Sequence, residues 1–390
     1  MKFNYIAIYD GNPHSGVTKK IIQQTSALRA LGFDDPTVRF LTKHGATICT
    51  HDSVRNVYCD VPPCANTMAK IKCILSLRGA FDSIEKQCKA DEVVYFRNIL
   101  PPQVILRRLK IKGCIILVEM VSNTFAEARV RKAMLAKCFY RLLYSKNLRW
   151  VDGIVGITEE IIAKNVGRGI RKPFVAIGNG VDVESVPIRT HRSTGSSINL
   201  ICVARVAPWH GLDRVIEGLS RYSDGRAGVH LHIVGEGSAI PTLRELVSKR
   251  FLSHCVTFHG FMSGRPLDVL YDTSDIAVSN LATHRKGLAS GSPLKSREYC
   301  ARGIPFIYSG TDVDFPESFP YVMRVDANDT AIGLDGIVWF ARQMARDNSH
   351  PTKMREFAAN NVSWLAKMQK VKGLINTIAD GRHHSHVGRV

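Results

Sequence analysis

The sequence predicts an α/β protein of two doubly wound, parallel-sheet domains, and three observations carry that expectation. Its 390 residues are too many for one compact core and suit two, since domains cluster at roughly 100–200 residues. Short apolar runs alternate with longer helical patterns in both halves, the arrangement of parallel strands joined by crossover helices. Between the halves the stretch VESVPIRTHRSTGSS, with Pro187, Gly195 and clustered serines, is unlike either flank.

In the first half the strands read Tyr5–Tyr9, Val93–Phe96, Cys114–Glu119 and Gly153–Ile157, with helices over 18–31, 102–111 and 127–146; residues 36–75 show no clean period. In the second half the strands read Ile198–Val203, Val229–Val234, Val256–His259, Asp275–Val278 and Ile304–Tyr308, with helices near 212–221, 239–250, 265–271, 293–302 and 331–345. The expected division is a first domain over 1–183, a hinge over 184–197 and a second domain over 198–350. A helical segment over 351–380, able to return to the first domain, and a frayed tail over 381–390 complete it. The tail histidines His383, His384 and His386 read as solvated rather than as metal ligands.

Composition narrows the function. No apolar run reaches the 20 or so residues of a membrane span; Cys114–Val118 is cut short by Glu119. Asp10 interrupts the first apolar stretch, which argues against a secretory signal. Ten cysteines without a CxxC pair suit buried thiols in a reducing compartment, so the expected location is cytoplasmic. The 53 Lys and Arg against 34 Asp and Glu give +19, and residues 1–180 carry +14 of it (28 basic, 14 acidic). Such a surface attracts nucleic acid, anionic lipid or phosphorylated small molecules.

The chemistry-bearing motifs fall at strand carboxyl ends, where doubly wound folds bind ligands. After the first strand comes DGNPHSGVTKK, in which Gly16 lets backbone approach a ligand at a helix start, a signal no stronger than an ordinary turn. After Ile198–Val203 come Arg205, a forked cation suited to phosphate oxygens, and His210, a hydrogen-bond donor just before a helix, with Trp209 read as packing. Ser290, Gly291, Ser292 and Pro293 precede a helix that Pro can open at its first turn, so several unpaired N–H groups there form an anion site, and Glu298 further along that helix suits a ribose diol. Lys295 reads either as a solvated helix residue or as a second cation at that anion.

At this point the second half resembles the nucleotide-sugar-binding domain of retaining GT-B glycosyltransferases, in particular family 4, the group that builds bacterial polysaccharides and glycolipids. The matching pieces are IGNGVD (177–182), ARVAPWHGLDR (204–214), HIVGEGS (232–238), VTFHGF (256–261) and SPLKSREYCARGIPFI (292–307). The first half matches loosely, through the Gly16 loop and the pieces around Arg97 and Glu119. The resemblance implies a GT-B fold, two Rossmann-like domains facing a cleft. It also implies transfer of a sugar from a nucleotide-diphosphate sugar to a glycan or lipid-linked acceptor with retention of configuration.

Carried over position by position, the resemblance makes Arg205 a diphosphate ligand and Glu298 the second carboxylate of E-x7-E, which holds the ribose. It brings the Gly16 loop onto the donor phosphates, Leu294 amides onto the diphosphate, and Phe261 and Met262 near the base. Two positions depart from the pattern: His210 stands where the family has a diphosphate-binding Lys, and Ser290 where it has the first Glu. The implied reaction is metal-independent, with Arg205, His210, Lys295 and the 292–294 helix start stabilising the leaving diphosphate, and no cofactor is expected. Asp312, Val313 and Asp314 spell D-x-D, a spacing able to hold a divalent ion, but their setting beside Gly310 and Pro316 favours a turn. Asp34–Asp35 is no better placed. In the first domain Glu119, His14 and Arg97 all stand at the sheet edge suited to face the transferred sugar; Glu119 is the candidate named for catalysis, against the plainer reading of a strand-end carboxylate capping the next turn.

Three rivals stand beside this reading: a basic nucleic-acid-binding protein, a sugar-nucleotide epimerase or phosphorylase of the same fold, and a noncatalytic subunit of a polysaccharide complex. The first lacks a helix-turn-helix, zinc spacing or RNP-like strand, so no nucleic-acid partner is expected. The helix expected over 127–146 is basic and amphipathic. With Arg107, Arg108, Lys110 and Lys112 it suggests peripheral contact with an anionic inner membrane face, against the plainer reading of packing on the sheet.

Overall fold

The computed structural model describes residues 1–9, 11–13, 15–43, 47–59, 67–122, 144–166, 171–190, 197–222 and 228–387, without the side chains of 43, 67–75 and 383–387. The chain forms two units, 1–177 with 364–390, and 178–363.

The first unit carries β1 (Lys2–Ile8), α1 (Gly16–Ala30), β2 (Asp34–Lys43), β3 (Val54–Cys59), α2 (Thr67–Gln87), β4 (Val93–Arg97), α3 (Gln103–Ile111), β5 (Ile115–Met120), β6 (Gly153–Gly156), α4 (Glu159–Asn165) and β7 (Phe174–Ala176). Its seven strands are ordered β3-β2-β1-β4-β5-β6-β7 and pair in parallel. The central strands are apolar on both faces, as a sheet covered by helices requires: all six residues of β5 are buried. Residues 36–75, which give no period, hold β2, β3 and the start of α2. The alternation is weak there because β3 is a half-exposed edge strand with Arg55 and Tyr58 outward.

The second unit carries β8 (Ile198–Val203), α5 (Leu212–Leu219), β9 (Val229–Val234), α6 (Ile240–Lys249), β10 (Val256–Gly260), α7 (Arg265–Asp272), β11 (Ile276–Val278), α8 (Leu294–Arg302), β12 (Phe306–Ser309), β13 (Val322–Val325), α9 (Leu334–Arg346) and α10 (His350–Phe357). The six strands, all parallel, are ordered β10-β9-β8-β11-β12-β13. In both units the order reverses beside the first strand, which puts each switch point at the carboxyl ends of β1 and β4, and of β8 and β11.

Residues 184–190 belong to the second unit rather than to a free hinge. The Arg189 amide donates to Arg302 O (2.8 Å) at the end of α8, and the Thr190 amide to Asp272 Oδ1 (3.2 Å). Linker-like composition here belongs to a surface segment pinned by backbone bonds. The last helix, α11 (Trp364–Val387), belongs to the first unit. Trp364, Met368, Val371, Leu374, Ile375 and Ile378 recur at helical spacing and enter the core with Ile21, Leu28 and Val155. Gly153 admits them: a side chain there would overlap Ile378 and Leu117 and crowd Leu374. The helix runs past the expected tail start at 381 because Arg382 donates to Gly113 O, Cys114 O and Asp152.

Candidate functional site

In the second unit the loops leaving β8 and β9 lie against each other. Gly235 and Gly237 have φ of 110° and 154°, and a side chain on either would overlap the carbonyl oxygens of Ala204 and Val206. That close approach lets the Ala204 amide donate to Val234 O (3.0 Å) and the Val206 amide to Glu236 O (2.7 Å). With Phe261 and Met262 beyond β10, these loops line a cavity of about 740 Å³, a volume suited to a small-molecule ligand. Arg205 is in its wall, exposed, with no hydrogen-bond or ion-pair partner among the described residues. Phe261 is 77% exposed, an apolar surface open to a planar ligand.

His210 closes a short helical turn, Pro208–His210, ahead of α5. Its Nδ1 accepts the Ala207 amide (2.9 Å), which fixes the neutral tautomer with the proton on Nε2. Burial, reinforced by the Lys295 and Lys286 ammonium groups, pushes its pKa down to about 2, so the ring is a neutral N–H donor. Lys295 is half-buried; burial lowers its pKa, and among the described residues it has no carboxylate partner, only a contact to Cys202 Sγ (3.7 Å). Lys286 lies 5.1 Å from the Trp209 ring and likewise lacks a carboxylate among the described residues.

Glu298 holds one oxygen on Arg302 Nε (3.0 Å), and its Oε2 accepts from no described residue. Arg302 is steadied by Asp268 (2.8 Å) and by the Tyr271 ring. At the head of α8, Pro293 is extended and Leu294 opens the helix, so its first amides point outward unpaired. The Ser292 hydroxyl is turned the other way: it accepts the Asn179 amide (2.6 Å), so this side chain ties IGNGVD to α8 and leaves only backbone for a ligand.

Asp312 and Asp314 are buried and both bonded to the fully buried Arg297, with Arg297 Nη2 to Asp312 Oδ1 at 2.6 Å. Burial alone would lower the guanidinium pKa; the two carboxylates more than reverse it. Arg297 also donates to Asn179 O (3.2 Å), and Gly178 must lack a side chain to clear Asp314. The D-x-D is thus the counter-charge of a buried arginine.

In the first unit Gly16 opens α1 behind Ser15, whose hydroxyl caps the Thr18 amide (3.1 Å). Glu119 is a correction: rather than facing a substrate it is 0% exposed. Its carboxylate accepts from Tyr5 Oη (2.6 Å) and Lys20 Nζ (2.9 Å) and pairs with Arg97 Nε at 3.6 Å. Burial would raise its pKa, but Lys20 and Arg97 bring it below the usual carboxylate value. The strand end that looked open is covered by α1, which delivers Lys20. His14 lies outside the described residues. So does most of the expected 127–146 helix. Of its companions, Arg108 pairs with Asp82 and Glu85, Lys110 with Asp152 and Lys112 with Glu85; among the described residues Arg107 alone of that set has no acidic partner. No described helix is long and apolar enough to cross a membrane.

The family described as Glycosyl transferases group 1 matches residues 197–329, the span that holds the cavity, His210, Lys295 and Glu298. This span is a glycosyl transferases group 1 domain. WcaL of Salmonella typhimurium strain LT2, assigned as a colanic acid biosynthesis glycosyltransferase, is 26% identical over 204 residues, 51% of this chain and 50% of WcaL. The chain thus matches about half the length of that relative. Over nearly the whole chain it superposes on sucrose-phosphate synthase from Thermosynechococcus elongatus (TM-score 0.70, 15% identity, 97% and 99% coverage). It superposes similarly on Anabaena HepE in complex with UDP (TM-score 0.63, 12% identity, 97% and 100% coverage). The fold is GT-B, two Rossmann-like domains.

Within the group 1 domain, sequence reasoning passed over Lys286. Its signal was the basic run HRK ahead of the anion motif, and only the Trp209 contact shows that it is held near His210.

Proposed function

We propose that the protein is a glycosyltransferase that moves a sugar from a nucleotide-diphosphate donor to a glycan or lipid-linked acceptor, with retention at the anomeric carbon. The observation that carries this reading is the set of cations without carboxylates at one sheet edge. Lys286 and Lys295 lie close enough to His210 to act on its ring, Lys295 is in the first turn of α8, and Arg205 lines the cavity past the end of β8. Among the described residues none of the three has a carboxylate partner, so the edge is short of an anion. A leaving diphosphate supplies that charge, and preorganised donors aimed at it lower the barrier to departure. Glu298, with one oxygen uncommitted, takes the ribose diol. Phe261 and Met262 take the base.

No metal enters the proposed step, since these cations do its electrostatic work and Asp312 and Asp314 are both already engaged by Arg297. The reaction is assigned to the cytoplasm. Contact with an anionic membrane face enters the proposal only through Arg107 and the helix over 127–146, and the ion pairs of Arg108, Lys110 and Lys112 weaken it.

Titration of UDP, GDP, ADP and dTDP into the EDTA-treated chain tests the reading. One of them should bind, and Arg205→Ala and Glu298→Ala should each weaken it by roughly 1.5–3 kcal/mol, about 10- to 150-fold, with the free protein still unfolding cooperatively and, for Arg205→Ala, at an unchanged midpoint. Binding that requires added Mg²⁺, or variants with unchanged affinity, would refute it.

A further inference from the structure

The polar cluster buried in the first unit is not balanced in charge. Lys20 and Glu119 are 4% and 0% exposed and Arg97 is 15% exposed, so among the described residues two basic side chains share one carboxylate. Tyr5 and Gln24 complete the cluster with neutral groups. Lys20 takes the closer contact, and Arg97 stands off at 3.6 Å, too long for a hydrogen bond. Its Nε is buried with no hydrogen-bond partner, and no described residue accepts from its terminal nitrogens. A partly buried guanidinium whose Nε has lost water without gaining a hydrogen-bond partner costs free energy that a second anion at its fork would offset in part.

The position is as informative as the charge. Arg97 ends β4 at the carboxyl edge of the sheet, beside the switch point. Asn98 follows in the left-handed region (φ 52°), with its amide on Glu119 O (2.7 Å), so the chain turns away directly after the guanidinium. Glu119 and the strand pairing Arg97↔Glu119 hold the Arg97 stem while the fork stays uncommitted. Glu119 is therefore a positioning residue, acting through Arg97.

We propose that Arg97 binds a phosphate group of the acceptor, making the first unit a reader of phosphorylated acceptors. A phosphate offers the charge the cluster lacks and oxygens spaced for a guanidinium fork. The inference rests on the glycosyltransferase reading for the word acceptor alone; the phosphate site itself stands on the first unit's own residues.

The test uses the full chain at constant ionic strength. Saturating nucleoside diphosphate, UDP or GDP by whichever binds, first fills the site in the group 1 domain; glycerol 3-phosphate is then titrated, with glycerol and chloride as controls. The expected result is a further rise in unfolding midpoint from glycerol 3-phosphate alone. Arg97→Gln should weaken that binding at least tenfold and Arg97→Lys less, with nucleotide binding intact in both. No further rise in the wild type, or the same affinity in Arg97→Gln, overturns the proposal. The wild-type contrast of glycerol 3-phosphate with glycerol stays decisive if a variant does not fold. If no nucleotide binds, the glycosyltransferase reading fails separately, and glycerol 3-phosphate titrated into Arg205→Ala still decides the Arg97 site. Sedimentation with phosphatidylglycerol or phosphatidylcholine vesicles separates the sources: Arg97-dependent pelleting with the former assigns a lipid headgroup, and its absence beside a positive titration assigns a soluble phosphate.

Discussion

Each unit holds an ion cluster around a fully buried charge, Arg297 in one and Glu119 in the other, and the two are opposites. In the second unit Arg297 sits between Asp312 and Asp314, one cation to two carboxylates, further bonded to the carbonyl of Asn179. In the first, Glu119 sits between Lys20 and Arg97, one carboxylate to two cations, and the Arg97 fork is left over. The Arg297 cluster is closed around its charge and knits the IGNGVD segment, α8 and the strand-end loop into one piece, which is a structural task. The Glu119 cluster is open on its cationic side, at a strand carboxyl end. Burial and ion pairing are alike in both, so what separates scaffold from candidate ligand site is whether every donor is matched.

The largest expected effect comes from breaking the closed cluster. Arg297→Met strands two buried carboxylates and should cost about 3–5 kcal/mol of stability in urea unfolding. The second unit is then expected to lose its cooperative transition in part or whole. A variant unfolding within about 0.5 kcal/mol of wild type would mean the D-x-D does not depend on Arg297 and would reopen it as a metal site.

The open cluster should respond more mildly. Glu119→Gln keeps the shape and an acceptor for Tyr5 or Lys20, but removes the one negative charge that the described residues place beside Lys20 and Arg97. A loss of about 2–3 kcal/mol is expected, below that of Arg297→Met, because Arg97 reaches solvent and a bound anion can stand in. Added phosphate should therefore restore part of the lost stability in Glu119→Gln and none in Arg297→Met. Equal rescue of both would erase the distinction drawn between the clusters.

The two units also differ in how much the sequence disclosed. The second unit's strands, and the gathering of His210, Lys295 and Glu298 near one sheet edge, follow from local signals: a strand end, a Pro-led helix, glycines at fixed offsets. Backbone geometry dictates those residues one at a time, so they are legible one at a time. Glu119 is legible as a strand-end carboxylate but not as a buried one, because what covers it, Lys20 on α1, is 99 residues away in sequence. Asp312 and Asp314 read as a turn on composition, whereas their partner Arg297 lies on a helix whose other residues drew attention. β3 escaped because an edge strand exposes half its residues and blurs the apolar alternation. Long-range charge matching is a property of the folded surface, and no window along the chain contains it.

The smallest effect separates His210 from the fully charged groups around it. The unfolded ring titrates near 6.5, while the folded ring, depressed to about 2 by burial beside Lys295 and Lys286, stays neutral. Between those values the unfolded chain binds the extra proton, so stability from this residue is present above pH 6.5 and is lost as pH falls. The slope approaches about 1.4 kcal/mol per pH unit once the unfolded ring is mostly protonated. His210→Asn keeps an acceptor for the Ala207 amide but has nothing to titrate. From pH 6.5 to 5 it should therefore lose about 1–2 kcal/mol less than wild type in denaturant unfolding, while nucleotide affinity over pH 6–8 stays flat in both proteins. A nucleotide affinity that rises several-fold as pH drops through 6.5 in the wild type alone would mean that His210 binds the diphosphate as a cation, and the neutral-donor account of the group 1 site would have to be given up.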